Sequence, residues 1–243
     1  MKLKGGFTNY GEVIGVIMLD TRFPRPAGDI GNARSYDFPV RYKTVQGALP
    51  VRIMGDDPDP ELLEPFIAAA RELEREGVKG ITTSCGFLAP FQRKLAEAVN
   101  IPVFASALLQ VPVASALIGK NRTVGVFTER RQHMNDRHFQ GVGWSQKDLR
   151  IHVQGMKPDA KFPQVYIGNQ TELDFDVLRA EMEDMTRDFL RDCPDAGAIV
   201  LECTNMCPFS TFIANISGLP VFDINTMINL FMNASRPRVF EQA

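Results

Sequence analysis

Residues 81–104, ITTSCGFLAPFQRKLAEAVNIPVF, and residues 199–222, IVLECTNMCPFSTFIANISGLPVF, align without a gap at a spacing of 118. Eight of the 24 positions are identical: Ile81/Ile199, Cys85/Cys203, Pro90/Pro208, Phe91/Phe209, Ala96/Ala214, Pro102/Pro220, Val103/Val221 and Phe104/Phe222. Each copy has an apolar run that stops at a cysteine, then small polar residues, a Pro-Phe pair, a helical segment and a short apolar strand. Upstream, Gly15-Val16 and Gly125-Val126 repeat at a spacing of 110. The chain therefore reads as two similar halves, each with one thiol at the carboxyl end of a central strand.

The rest of the pattern is strand–helix alternation. Strands are expected at 13–19, 51–54, 80–85, 103–104, 124–128, 199–201 and 219–222, and helices at 61–76, 91–99 and 178–190. Apolar residues Leu62, Leu63, Phe66, Ile67, Ala70 and Leu73 recur at helical spacing in the first helix, and Gly77 suits its end. Such alternation implies an α/β fold: two pseudo-symmetric Rossmann-like halves with mostly parallel sheets. The first half is placed at 1–115, completed by the C-terminal segment 224–243, and the second at 116–223. In open α/β sheets ligands bind beyond the carboxyl ends of the strands. Two facing halves would thus put Cys85 and Cys203 on opposite walls of one cleft.

Composition narrows the function classes. Of 243 residues, 44% are hydrophobic and 23% charged, and the formal charge is −2, which offers no basic footprint for nucleic acid and no membrane-surface patch. No apolar run approaches the ~18 residues that span a bilayer, and the lysines near the start precede no apolar signal core. Four cysteines are too few for a disulfide scaffold, so a reducing cytoplasm is the expected setting. Cys203 and Cys207 could share a helix face, but a zinc site needs more ligands than this stretch supplies. Cys207 aligns with Ala89 and reads as packing, and Cys193 as structural. His133 and His138, in ERRQHMNDRH (129–138), read as a solvated helix face. Neither GxGxxG nor GxxxxGK[ST] occurs, so no nucleotide cofactor is expected.

Two thiols across a cleft suit a reaction that takes a proton from one face of a carbon and returns one to the other, with one thiolate and one thiol. Helices that begin near Pro90-Phe91 and Pro208-Phe209, just after the cysteines, could lower the thiol pKa and bind a substrate carboxylate through their N-terminal amides. The loop 20–32, DTRFPRPAGDIGN, could act as a lid, with Arg22 and Arg25 offering a cation to a second carboxylate.

TTSCGF (82–87), LECTNM (201–206), GVFT (125–128) and the two-half organisation resemble the aspartate/glutamate/hydantoin racemase superfamily, which also contains arylmalonate decarboxylases. The resemblance covers most of the chain. It implies a cofactor-independent two-thiol mechanism with Cys85 and Cys203 as acid and base, and a homodimer. It also implies that Ser84, Gly86, Thr128, Thr204 and Asn205 anchor a carboxylate. The chain departs from amino-acid racemases in three places: Gly86-Phe87 stands where Asn-Thr is usual, Asn205 where an acid is common, and Met18 where glutamate racemases carry Asp. Phe87 could then line a pocket for a larger or less charged substrate.

The leading expectation is a racemase or epimerase acting on a small carboxylate, amino acid or hydantoin-like compound, with no metal, nucleic-acid or membrane partner. Two alternatives stand beside it. One is a decarboxylase or isomerase of the arylmalonate or maleate type, and the other is a small-molecule binding protein without turnover.

Overall fold

The structure, a computed structural model, describes residues 2–237. The last part of the segment expected to complete the first half, 238–243, lies outside the described residues. Eight strands and eight α-helices follow one another: β1 (Ile14–Met18), β2 (Val40–Thr44), α1 (Leu63–Arg75), β3 (Gly80–Thr83), α2 (Gln92–Glu97), β4 (Val103–Phe104), α3 (Val111–Ile118), β5 (Thr123–Thr128), α4 (Asp136–Gly141), β6 (Ile151–Gly155), α5 (Lys161–Tyr166), α6 (Phe175–Asp192), β7 (Ala196–Leu201), α7 (Ser210–Ser217), β8 (Val221–Phe222) and α8 (Ile224–Ser235).

The strands form two four-stranded sheets in the orders β2-β1-β3-β4 and β6-β5-β7-β8. Every pairing is parallel. The registers match as the repeat requires: Gly15 pairs with Ile81 and Gly125 with Ile199, while Ile81 pairs with Val103 and Ile199 with Val221. The fold is therefore α/β, built from two copies of one topology. Strands β1, β3, β5 and β7 are buried throughout, as parallel strands covered on both faces must be.

The repeated glycines have a packing reason. A Cβ on Gly15 would stand 2.9 Å from Leu73 of α1, and one on Gly125 would stand 2.4 Å from Phe189 of α6. Each helix thus lies directly on the central strand of its half, and a larger residue would force it away. α8 returns to the first sheet, where Phe231 covers Gly80 and stacks at a tilt on Phe104.

The halves share a core. Val124, Val126, Ala198 and Val200 belong to the same buried cluster as β1, β3 and α1, whereas Phe127, Ile199 and Leu201 form a second cluster with α6. The period-two alternation of a strand thus sends one face of the second sheet toward the first half and the other toward its own helix.

The structure corrects four details of the sequence reading. Residues 51–54 are not a strand: Pro50–Arg52 make a 3-10 turn, because Pro50 presets a helical φ and lacks a ladder donor. Strands β2 and β6 were not expected, because at the sheet edges Arg41, Lys43, His152 and Gln154 interrupt the apolar pattern. The helical turns after the cysteines begin at once, as 3-10 segments Gly86–Phe91 and Thr204–Phe209, rather than near the Pro-Phe pairs. His138 is fully buried, not on a solvated face: it lies edge-on to Phe87 with ring centroids 4.9 Å apart. Burial of this uncharged ring holds its pKa down at about 4.

Candidate active site

Strands β3 and β7 each end two residues before their cysteine, Cys85 and Cys203, and each cysteine caps the 3-10 turn that follows. Chain direction and repeat thus bring both thiols to the same kind of place. Both line one narrow cleft, with a cavity of about 20 Å³. Both are buried, and among the described residues no cysteine is in a disulfide. Two residues on, the backbone amides of Phe87 and Asn205 favour the charged forms of the respective thiols.

Those amides act as expected, but they do not prevail. Burial is the largest influence on both thiols and pushes their pKa values up. Nearby carboxylates add to it, Glu202 foremost at Cys85 and Glu129 at Cys203. Both cysteines therefore rest as neutral thiols, and a thiolate must be made at the moment of use.

Two acids in this cleft escaped the sequence reading. Glu129 follows β5 and Glu202 follows β7; they are 2% and 0% exposed. Burial first, and for Glu129 the neighbouring Glu202 next, raise both carboxyls to about 8. Thr128 Oγ1 donates to Glu202 Oε2 at 2.6 Å. Cys203 Sγ lies 3.7 Å from Glu129 Oε2 and 3.8 Å from Asn205 Oδ1. Among the described residues the other carboxylate oxygens, Glu129 Oε1 and Glu202 Oε1, have no hydrogen-bond partner, and neither has the Tyr166 hydroxyl. Three buried polar atoms without partners in one cleft mark a place built for something polar to occupy.

The sequence-selected residues divide. Ser84, Gly86, Thr204, Asn205 and Arg25 line the cleft with the two thiols. Ser84 Oγ accepts from Leu19 N at 2.9 Å, and Thr204 Oγ1 donates to Ser84 O at 2.7 Å, which ties the halves together at the floor. Gly86 leaves room for Glu202: a Cβ there would stand 2.3 Å from Glu202 Oε1 and 2.4 Å from its carbonyl oxygen. Thr128 sits one layer back and holds Glu202 rather than facing the cleft. Phe87 does not line the cleft either, because the turn rotates it into the core, where it is fully buried against His138. Arg22 is also misplaced by the sequence reading: its backbone is held by Asn169 Oδ1 at 2.7 Å and its side chain stays outside the cleft.

The loop 20–32 is strapped down. Asp29 is fully buried and accepts from Arg25 Nη1 (2.6 Å), Gly31 N (2.8 Å) and Asn205 Nδ2 (2.9 Å). Asn225 Nδ2 of α8 donates to Gly28 O at 2.7 Å. Gly28 has φ +99°, and a Cβ on it would reach 2.8 Å from Pro208 Cα. The strap carries Phe23 and Arg25 into the cleft. The Arg25 guanidinium lies 4.5 Å from the centre of the Phe23 ring, which meets Tyr166 edge-on at 4.8 Å.

The sequence profile of the Asp/Glu/Hydantoin racemase family matches residues 48–228. The chain belongs to this family. Its cleft lies at the carboxyl ends of the central strands β3 and β7. Among curated relatives, Dimethylsulfoniopropionate lyase 7 of Emiliania huxleyi (strain CCMP1516) is 30% identical over 228 residues, which is 91% of this chain and 66% of that protein. A dimethylsulfoniopropionate lyase of Durusdinium sp. clade D is 28% identical over 90% of this chain and 73% of its own length. The chain thus spans just under two thirds of the first relative. In structure it resembles the Gly74Cys mutant of arylmalonate decarboxylase in its sulfate-associated form, with a TM-score of 0.58, 15% identity, and coverage of 95% of this chain and 96% of that one.

Within this racemase-family fold, the missed acids had a sequence signal. Each is a charged residue set directly on the end of a buried strand, Glu129 after GVFT and Glu202 before Cys203. Under the repeat, their counterparts in the first half are Leu19 and Ser84, so the acids belong to one half alone. Tyr166 and Phe23 carried no such signal, because they reach the cleft from α5 and from the strap through tertiary packing. Among the described residues no group of His, Cys, Asp and Glu is arranged to hold a metal ion, and no helix is long and apolar enough to cross a membrane.

Proposed function

We propose that this cleft removes the α-proton of a small carboxylate and expels a group from the β-carbon without a cofactor, the β-elimination expected of a dimethylsulfoniopropionate lyase. The observation that carries the reading is the inequality of the two thiols. They come from matched strand ends, yet Cys203 has a carboxylate and an amide within hydrogen-bonding reach of its sulfur, while among the described residues no side chain hydrogen-bonds to Cys85. Inversion of a carbon asks both thiols to serve alternately as acid and base, whereas an elimination needs one base. The similarity to two lyases supports the same choice.

The substrate such relatives are named for is a propionate with a dimethylsulfonium group. Arg25 is suited to its carboxylate as the cation of the lining. The Phe23 and Tyr166 rings suit the sulfonium. A thiolate takes the α-proton, so that the C–H bond breaks and an S–H bond forms. The electron pair left on the α-carbon becomes the new C=C bond as the C–S bond breaks, and dimethyl sulfide departs with its own pair. Acrylate and the enzyme's proton remain.

A second reading, racemisation, rests on the fact that both thiols line the same cleft. One experiment separates them. The protein is incubated in deuterated water with dimethylsulfoniopropionate, aspartate, glutamate and hydantoins, and the products are followed by proton NMR. Acrylate from the first compound supports elimination. Deuterium at the α-carbon of a chiral substrate with inversion, and no acrylate, supports racemisation and overturns the lyase reading.

A further inference from the structure

We infer that Glu129 is the positioning residue that accepts the Cys203 thiol proton, so that Cys203 and Glu129 act as one base and Cys85 does not share that task. The inference deepens the proposed function and rests on it for the identity of the carbon acid. Four observations carry it. Cys203 Sγ faces Glu129 Oε2 at 3.7 Å. Glu129 is 2% exposed, so no bulk water competes for the proton. Its second oxygen has no hydrogen-bond partner among the described residues, and Glu129 lines the cleft. The repeat puts Leu19 where Glu129 stands in the other half, and among the described residues no side-chain acceptor is hydrogen-bonded to Cys85 as Glu129 is to Cys203.

The proton balance is simple. The S–H bond of Cys203 breaks, its electron pair stays on sulfur, and an O–H bond forms on Glu129. The thiolate then takes the substrate α-proton and is again a thiol. Glu129 is left as the neutral acid and releases its proton, which is the one proton an elimination from a zwitterion must yield. A buried acid of raised pKa suits this transfer, because acceptor and thiol then lie closer in proton affinity than an ordinary carboxylate and thiol do. Glu202, from the end of β7, adds repulsion that keeps the proton on Glu129, while Arg130 next in sequence opposes it. Tyr166 of α5 and Arg25 of the strap line the cleft beside Cys203.

The test is the pH profile of iodoacetamide alkylation at Cys203, read by peptide mass for the wild type, Glu129→Gln and Glu129→Asp. In the wild type the rate should climb tenfold per pH unit up to about 8, where Glu129 ionises, and then level off, because each further thiolate must form beside an anion. In Glu129→Gln it should climb straight through that region, and in Glu129→Asp the break should return. The Cys85 profile should shift only slightly and show no such break, since Glu129 acts on that thiol only as a lesser, more distant charge. A wild-type profile with no break, or a Glu129→Gln profile that superposes on it, overturns the inference. This readout needs no substrate, so it can fail while the lyase reading stands, and the reverse. With dimethylsulfoniopropionate as the probe, Glu129→Gln should lower kcat at least a hundredfold with little change in KM, and Glu129→Asp should restore part of it. Loss in KM alone would mark Glu129 as a binding group and contradict the assignment.

Discussion

Asp29→Asn is the substitution that most sharply tests how the cleft wall is held. The side chain keeps its shape but loses its charge, and one acceptor oxygen becomes an amide that faces donors. Asp29 is fully buried and receives three hydrogen bonds, from Arg25, Gly31 and Asn205. Arg25, with its side chain 14% exposed, would keep Thr21 Oγ1 at 2.8 Å as an acceptor but lose its counter-charge while still shielded from water. Breaking a buried pair from one side costs about 3–5 kcal/mol. For a chain of this size each kcal/mol corresponds to about 2–4 °C in Tm, so a fall of about 6–20 °C is expected. Urea and thermal unfolding measure the global cost. Hydrogen exchange over 20–32 measures local opening, since Asn32 N donates to Asp29 O and Asp29 N to Pro26 O. Asn205 and Arg25 both line the cleft, so activity should fall as well. A variant that unfolds within about 1 kcal/mol of the wild type, with unchanged exchange in the strap, would refute the reasoning.

The Glu202 carboxyl sits near 8 in the folded chain, above its ordinary value. The fold therefore favours its protonated form, and stability is complete below the unfolded pKa and lost as the pH rises toward 8. Glu202→Gln should gain stability relative to wild type between pH 5 and 9 in urea titrations; a difference that does not vary with pH would contradict this. His138 has the opposite sign: with its folded pKa near 4, its contribution is present above about 6.5 and is lost as the pH falls. His138→Gln should therefore gain on wild type from pH 7 down to 4, and a constant gap would show that the ring is not held neutral. Gly86→Ala places a Cβ against both the carboxylate and the backbone of Glu202. It should cost about 1–3 kcal/mol and reduce activity more than the same change at exposed Gly143, which meets nothing within 4 Å but has φ +90°.

The two-half α/β architecture was legible because a duplicated topology leaves duplicated residues where packing tolerates few alternatives. Gly15 and Gly125 lie under helices, and Ile81 and Ile199 hold the same register beside Val103 and Val221. The edge strands β2 and β6 were not legible, since half-buried positions accept arginine and lysine as readily as valine. At the site, the thiols could be placed from strand ends alone. Their protonation could not, because it depends on Glu129 and Glu202, which lie beside them only after the sheets assemble. Phe87 and His138 show the same limit: each looked available to a pocket or to solvent, and each is spent on core packing between the halves.

The most direct test of the account is the fate of dimethylsulfoniopropionate with the wild-type chain and with Cys203→Ala, followed by proton NMR for acrylate and by headspace analysis for dimethyl sulfide. The account predicts that the wild type forms the two products in equal amounts and that folded Cys203→Ala forms neither. Wild-type protein that leaves the substrate intact, or Cys203→Ala that cleaves it at the wild-type rate, would contradict it.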